Sequence, residues 1–194
     1  MIGRSILGDG DHRIPDDYYA TPPMAVGKLL QVHQFTGQKI LEPCVGAGHI
    51  LNVLQQSMPG SSFTVLDIVD CGCPGTVLAD FLTWDGPNDF DTIITNPPYL
   101  LASEFIRKCH AHLADGGQLA MFLKIQFLEG VKRRDLFDQI PPRYVYVFRK
   151  RISAWSAGEP INKNTGKPWA STVTFCWYVW QKGYRGDPAI RWID

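Results

Sequence analysis

Lys39-Ile40-Leu41-Glu42-Pro43-Cys44-Val45-Gly46-Ala47-Gly48 is the stretch that decides how this chain is read. Lys39 to Glu42 reads as a short buried strand, and Pro43 stops it because proline has no N–H to give to the ladder. Gly46 and Gly48 remove Cβ atoms where a ligand must lie against the backbone. His49 to Ser57 then reads as a helix, ended by Met58-Pro59-Gly60. Strand, Gly-x-Gly loop and helix form the unit with which open α/β sheets approach a nucleotide-like ligand. Working outward, Ser62 to Leu66 is a second strand that ends at Asp67. That acid lies 19 positions beyond Gly48, where this fold type places a carboxylate for ribose hydroxyls. The third position after Gly48 is Leu51 rather than glycine, which counts against a dinucleotide fingerprint. Val77 to Phe81 reads as a third strand, closing on an acid and a ring, Asp80 and Phe81.

The fourth strand, Thr92 to Thr95, runs into Asn96-Pro97-Pro98-Tyr99. Two consecutive prolines end the ladder and hold the residues before them extended. The product is a stiff elbow at a C-terminal strand end. Asn96 contributes an acceptor oxygen and two donor hydrogens, and the Pro97 carbonyl is a second acceptor. Two acceptors held side by side suit both hydrogens of a planar NH₂ group, and the Tyr99 ring suits the plane that carries it. Taken alone, an Asn before a Pro-Pro turn is also a common loop.

Glu42-Pro43-x-x-Gly46-x-Gly48 followed by Asn96-Pro97-Pro98-Tyr99 resembles the S-adenosylmethionine-dependent amino methyltransferases. Their small phage-type N6-adenine DNA methyltransferases are the nearest in size. The resemblance covers roughly Tyr18 to Lys182, with the cofactor motif before the catalytic one, as in the gamma arrangement. It implies a Rossmann-like class I α/β fold: a seven-stranded, mostly parallel sheet with helices on both faces and an antiparallel last strand beside the fifth. It also implies S-adenosylmethionine as cofactor, with Glu42, Pro43, Gly46, Gly48, Asp67, Asp80, Phe81 and Asn96 around it. The Tyr-x-Thr-Pro lead-in adds Tyr19, Thr21 and Pro22 to that set. Catalysis falls to Asn96, Pro97, Pro98 and Tyr99, on an exocyclic amine of DNA. No separate target-recognition domain is apparent, which argues against a long recognition sequence.

The remaining chain is consistent with one domain over residues 1–194. Residues 1–17 are rich in Gly, Asp and Arg and read as flexible. Thr21 is a candidate N-cap for a helix whose apolar face carries Ala25, Leu29 and Val32. Leu100 to Leu113 reads as a helix closed by Ala114-Asp115-Gly116-Gly117. Gln118 to Ile125 is a strand with Leu119, Met121 and Leu123 on one face and Phe122 on the other. Glu129 to Ile140 reads as a helix, Arg143 to Phe148 as a strand and Thr172 to Trp180 as the last strand. Residues 151–171 form a long interval between those strands, and such loops often carry function. With Lys150, it mixes cations (Arg151, Lys163, Lys167) with aromatic rings (Trp155, Trp169), suited to phosphates and bases.

Net charge is zero, yet the halves differ: 4 Lys/Arg against 11 Asp/Glu over residues 1–100, and 15 against 8 beyond. A basic second half fits a nucleic-acid partner, though solvated helices would also account for it. No apolar run is long enough for a bilayer and no signal-peptide core is seen, so a cytoplasmic protein is expected. Five cysteines fit reduced thiols. Cys71-Gly72-Cys73 has no second pair at ligand spacing, so no metal is expected. Asp70, Asp85 and Asp89 read as solvated loop acids, His110 and His112 as helix-surface residues, and His12 and His33 as incidental. Three alternatives share the motifs: an RNA-base methyltransferase, a protein-glutamine methyltransferase, and a non-catalytic nucleic-acid-binding module.

Overall fold

The computed structural model describes residues 19–156, 158–169 and 173–194. Residues 1–17, expected to be flexible, lie outside the described residues, as do Tyr18 and residues 157 and 170–172.

In chain order the elements are β1 (Tyr19–Ala20), α1 (Pro23–Val32), β2 (Lys39–Glu42), α2 (His49–Ser57), β3 (Ser62–Asp67), β4 (Val77–Leu78), β5 (Phe90–Thr95), α3 (Ala102–His112), β6 (Leu113–Lys124), α4 (Arg134–Gln139), β7 (Tyr144–Phe148), β8 (Trp155–Ser156), β9 (Ile161–Asn162), β10 (Lys167–Pro168), β11 (Phe175–Gln181) and β12 (Ala189–Ile193). The main sheet has eight strands in the order β12-β7-β11-β6-β5-β2-β3-β4. β2, β3, β4, β5 and β6 run parallel, and β11 lies antiparallel between β6 and β7. The parallel run and the antiparallel insertion match the expected class I methyltransferase sheet.

Period-two alternation divides the side chains between two cores. Leu119, Met121, Leu123, Tyr178 and Trp180 pack with Phe105 and Ile106 of α3. Ala120, Phe122, Tyr146 and Trp177 pack with Ala25 and Leu29 of α1 and Leu54 of α2. Each buried tryptophan has an acceptor: Trp177 Nε1 donates to the Ala25 carbonyl at 3.0 Å and Trp180 Nε1 to the Ile140 carbonyl at 3.1 Å. These bonds pin one helix to each face of β11 without leaving an indole N–H dry.

Several expectations are corrected. Pro22, not Thr21, is the N-cap of α1, and the Thr21 side chain is buried instead. The buried stripe of α1 is Ala25, Val26 and Leu29, while Val32 is exposed. Val77 to Phe81 pairs only at Val77 and Leu78, so Asp80 and Phe81 fall in the following turn. The helix expected from Leu100 begins as a 3₁₀ turn at Tyr99–Leu101 and becomes α-helical at Ala102. Ala114 to Gly117 does not close it. Those residues belong to β6, whose register slips between the Phe90–Leu113 and Thr92–Gln118 pairs. A Cβ at Gly117 would sit 2.9 Å from the carbonyl oxygens of Ala114 and Phe90, so this irregularity requires glycine. Glu129 to Ile140 is a 3₁₀ turn (Val131–Arg133) leading into the short α4. The strand expected at Thr172 begins at Phe175, and it is not the last. β12 follows and pairs in parallel with β7 at the sheet edge, making eight strands instead of seven. Within the long interval 151–171, the described residues form short strands: β8 pairs with β1, and β9 with β10. His112 is buried, not a surface residue; its Nδ1 lies 2.6 Å from the Pro87 carbonyl. Among the described residues, no helix is long and apolar enough to cross a membrane.

Candidate active site

The C-terminal ends of β2, β3 and β5 and the turn after β4 open into one cleft of about 400 Å³. Of the residues expected at the site, Tyr19, Thr21, Glu42, Pro43, Asp67, Asp80, Phe81, Asn96, Pro97, Pro98 and Tyr99 line it. They come from segments up to 80 positions apart (Tyr19 to Tyr99), brought together because parallel strands deliver all their C-terminal ends to one edge.

The loop after β2 is built for close approach. Gly46 and Gly48 have φ of 52° and 82°, the left-handed region that side chains resist. A Cβ at Gly48 would also meet Cys73 Sγ at 3.1 Å. Gly46 and Gly48 do not line the cleft wall themselves. Their role is to shape the turn into α2. Asp67 holds that turn: its Oδ2 accepts from Gly46 N at 2.7 Å and its Oδ1 from Val69 N at 3.1 Å. A carboxylate has about four lone-pair sites, so both oxygens keep capacity for ligand hydroxyls. Glu42 is 2% exposed and its Oε2 has no hydrogen-bond partner. Burial holds its carboxyl well above the usual range, with the Asp67 charge adding to the effect and a backbone bond from Leu51 opposing it. A buried acceptor of this kind is costly until a donor reaches it. Asp80 Oδ1 accepts from Leu82 N at 2.9 Å.

Phe81 is 2% exposed and packs on Phe105 at 5.4 Å between centroids. It forms part of the wall more than a free platform. The orphaned Glu42 oxygen, the glycine cradle and three carboxylates along one wall fit a ligand carrying an amino group and ribose hydroxyls, as S-adenosylmethionine does.

The elbow sits at the other side of the cleft. Asn96 Nδ2 donates to the Tyr19 carbonyl at 2.6 Å. The amide is thereby oriented, with its nitrogen turned to β1 and its oxygen left as the acceptor. No hydrogen bond to the Pro97 carbonyl is found among the described residues. Pro98 is extended (φ −53°, ψ 121°), and its carbonyl accepts from Leu101 N at 2.9 Å, which starts the turn that carries Tyr99. The Tyr99 ring lies 5.9 Å from Phe175, and Lys124 Nζ stands 4.7 Å from its centroid. Burial pushes the thiols of Cys44 and Cys109 up, and that of Cys176 to about 12. These groups are thiols rather than thiolate nucleophiles at neutral pH.

The expected substrate residues are distributed differently. Pro22 caps α1 beside the cleft without lining it. Trp155 reaches the border: its ring meets His49, a lining residue, edge to face at 5.7 Å, and its backbone pairs with Ala20. Lys150, Arg151, Lys163, Lys167 and Trp169 do not line the cleft. Lys163 pairs with Glu159 at 3.0 Å, and Trp169 Nε1 donates to the Glu159 carbonyl at 2.7 Å, so both brace the β9–β10 hairpin. Sequence reasoning missed His49, Phe105, Lys124 and Phe175. His49 had a signal, as the first helical residue after Gly48. The others depend on pairings distant in sequence. Among the described residues, no cluster of three or more His, Cys, Asp or Glu side chains is placed to hold a metal.

No family model matches the chain. A type II methyltransferase, M.CvrRI of Paramecium bursaria Chlorella virus XZ-6E, is 29% identical over 125 residues, which is 50% of this chain and 33% of that protein. The chain therefore spans about a third of that curated relative. Among solved structures, a predicted O-methyltransferase of Agrobacterium tumefaciens superposes with a TM-score of 0.64 at 16% identity, covering 89% of this chain and 86% of that one. A SAM-dependent O-methyltransferase of Thermotoga maritima gives 0.56 at 18% identity, covering 88% and 69%. The methyltransferase subunit of a type I restriction-modification system of Streptococcus thermophilus gives 0.55 at 17% identity, covering 86% and 45%. The chain has the Rossmann-like class I methyltransferase fold.

Proposed function

We propose that this chain is an S-adenosylmethionine-dependent methyltransferase of the exocyclic N6 of adenine in DNA. The observation that carries the reading is the 2.6 Å bond from Asn96 Nδ2 to the Tyr19 carbonyl. It commits the donor end of the amide to the protein and leaves the acceptor end for a substrate amine. The type II methyltransferase name of the viral relative and the restriction-modification name of the Streptococcus neighbour support a nucleic-acid substrate. The likeness to a SAM-dependent enzyme and the fit of the Glu42–Asp67–Asp80 wall support the cofactor.

The cofactor supplies an electrophilic methyl group when bound. The chain's own residues bind and orient. Glu42, Asp67 and Asp80 hold it, with Gly46 and Gly48 shaping the turn at its edge, Pro22 capping α1 beside it, and Tyr19, Thr21, Pro43 and Phe81 closing the site. An adenine flipped from the stack places its amine against the elbow. Asn96 Oδ1 and the Pro97 carbonyl accept its two hydrogens, which turns the nitrogen lone pair outward. Tyr99 stacks on the base, with Pro98 fixing the ring's approach. Positioning and fixed dipoles supply the acceleration, and no protein nucleophile is needed. Residues 151–171 serve the single domain as a substrate-binding segment, with Trp155 at the cleft border, Lys150, Arg151 and Lys167 for flanking phosphates, and Lys163 and Trp169 bracing the hairpin that carries the segment.

The test is methyl transfer from labelled S-adenosylmethionine to unmethylated duplex DNA, followed by digestion to nucleosides. Label in N6-methyladenosine's deoxy form is expected. Cofactor binding with no label in any DNA base would overturn the reading.

A further inference from the structure

A second cavity, about 530 Å³, lies away from the cleft, between the C-terminus of α1, Gln118 in the middle of β6, the start of β7 and Arg191 of β12. On β6, Gln118 lies at the cavity and Lys124 at the Tyr99 ring, and six residues of strand at ~3.3 Å each put the cavity about 20 Å from the elbow. Its lining is polar and cationic. Arg191 stands 4.1 Å and Arg143 5.2 Å from the centroid of the Tyr144 ring. Among the described residues neither arginine pairs with a carboxylate. Arg143 gives one arm to Gln181 Oε1. Two cations against one ring with no counter-ion repel each other, so an anion would be drawn in.

The neutral groups face the same way. The Tyr146 hydroxyl is 2.9 Å from His33 Nδ1, and Arg191 pairs in register with Tyr146 on the same sheet face. The arginine beside that hydroxyl favours its lone pairs, which directs the O–H proton to Nδ1 and leaves the imidazole hydrogen on Nε2. His33 is 7% exposed, and its Nε2 has no hydrogen-bond partner. Gln118, 8% exposed and also lining the cavity, stands beside the imidazole, where its Oε1 is an acceptor. Burial, then Arg191 and Arg143, lower the imidazole's pKa to about 4 against a smaller opposing interaction with the Gln118 side chain, and so keep it neutral.

We propose that this cavity is a phosphate-binding site, with Arg143, Arg191 and His33 as donors. Guanidinium forks match the oxygens of a phosphate in pairs, and a phosphate has enough acceptors for the imidazole donor as well. The phosphate belongs either to a free phosphorylated small molecule or to a nucleic-acid backbone.

Calorimetric titration of the full chain with inorganic phosphate and with a nucleoside monophosphate, at constant ionic strength set by chloride, tests the site. Saturable binding is expected, weakened roughly tenfold or more in Arg191→Gln and less in Arg191→Lys, which keeps the charge but not the fork. The His33 Nε2–H resonance of the unsubstituted protein should shift on addition of phosphate, a readout independent of any variant's folding. A short DNA duplex then distinguishes the sources: affinity lowered by Arg191→Gln indicates backbone phosphate, and unchanged affinity a free phosphorylated ligand. No saturable phosphate binding with a stationary His33 resonance overturns the proposal.

Discussion

Replacing Asn96 with alanine separates a catalytic amide from a merely structural one. Among the described residues the half-buried side chain makes one hydrogen bond, Nδ2 to the Tyr19 carbonyl at 2.6 Å. Losing a bond of this type costs about 1 kcal/mol net. For a chain of this length that is a fall in Tm of about 2–4 °C. If holding Tyr19 were the side chain's only task, methyl transfer would fall by about tenfold at most, the equivalent of that free energy. If Asn96 Oδ1 accepts from the reacting amine, transfer should fall by roughly 10²–10³, the scale seen when one preorganised polar partner of a reacting centre is removed. Asn96→Asp offers a second contrast. It keeps an acceptor for the substrate but sets an oxygen against the Tyr19 carbonyl, so it should lose more stability than the alanine variant. The assay is single-turnover transfer of labelled methyl to duplex DNA, alongside calorimetric cofactor affinity and a melting curve. A folded Asn96→Ala protein that binds cofactor and turns over within tenfold of the unsubstituted chain would refute the reasoning.

Tyr99→Phe should retain most transfer, whereas Tyr99→Ala should lose about 1–3 kcal/mol of base stacking, read as a weaker DNA substrate; equal losses would place the function in the hydroxyl. Gly48→Ala forces a side chain into φ 82° and against Cys73 Sγ at 3.1 Å. It should cost roughly 1–2 kcal/mol and weaken cofactor binding, and an unchanged calorimetric affinity would contradict the cradle. His33 stays neutral in the fold because burial, Arg191 and Arg143 bring it to about 4, below the ~6.5 of a free imidazole. The unfolded chain therefore takes up the proton first, so this contribution to stability is complete above pH ~6.5 and is lost as pH falls toward about 4. Melting temperatures across that window should drop less steeply in His33→Gln, and identical slopes would argue against the buried neutral imidazole.

Much of the parallel half was legible because each element carries its own punctuation. Pro43 ends β2, Gly48 starts α2 and Pro97-Pro98 ends β5, so strand and helix bounds there follow from single residues. The Leu119–Met121–Leu123 and Phe122 faces of β6 also followed from period-two alternation. The failures share a physical cause. Gly116-Gly117 looks like a helix stop, yet the pair serves an irregular strand whose register is set by Phe90 and Thr92 on β5. Ala189-Ile190-Arg191-Trp192-Ile193 carries a weak pattern and becomes a strand only because β7 offers an edge. In the site, residue types were readable and pairings were not. Nothing near Asn96 shows that Tyr19 takes its amide hydrogen, and nothing near Tyr99 shows that Lys124 and Phe175 flank its ring. Residues 151–171 illustrate the limit of composition: the cations and rings are there, but Lys163 and Trp169 both turn to Glu159.

The most direct test is the identity of the methylated residue. The protein should be incubated with labelled S-adenosylmethionine and, in parallel, duplex DNA, single-stranded DNA, bulk RNA and a protein lysate, with each product digested and resolved by mass spectrometry. Label confined to N6-methylated deoxyadenosine is the predicted result. Label in RNA or in glutamine, or none despite cofactor binding, would contradict it.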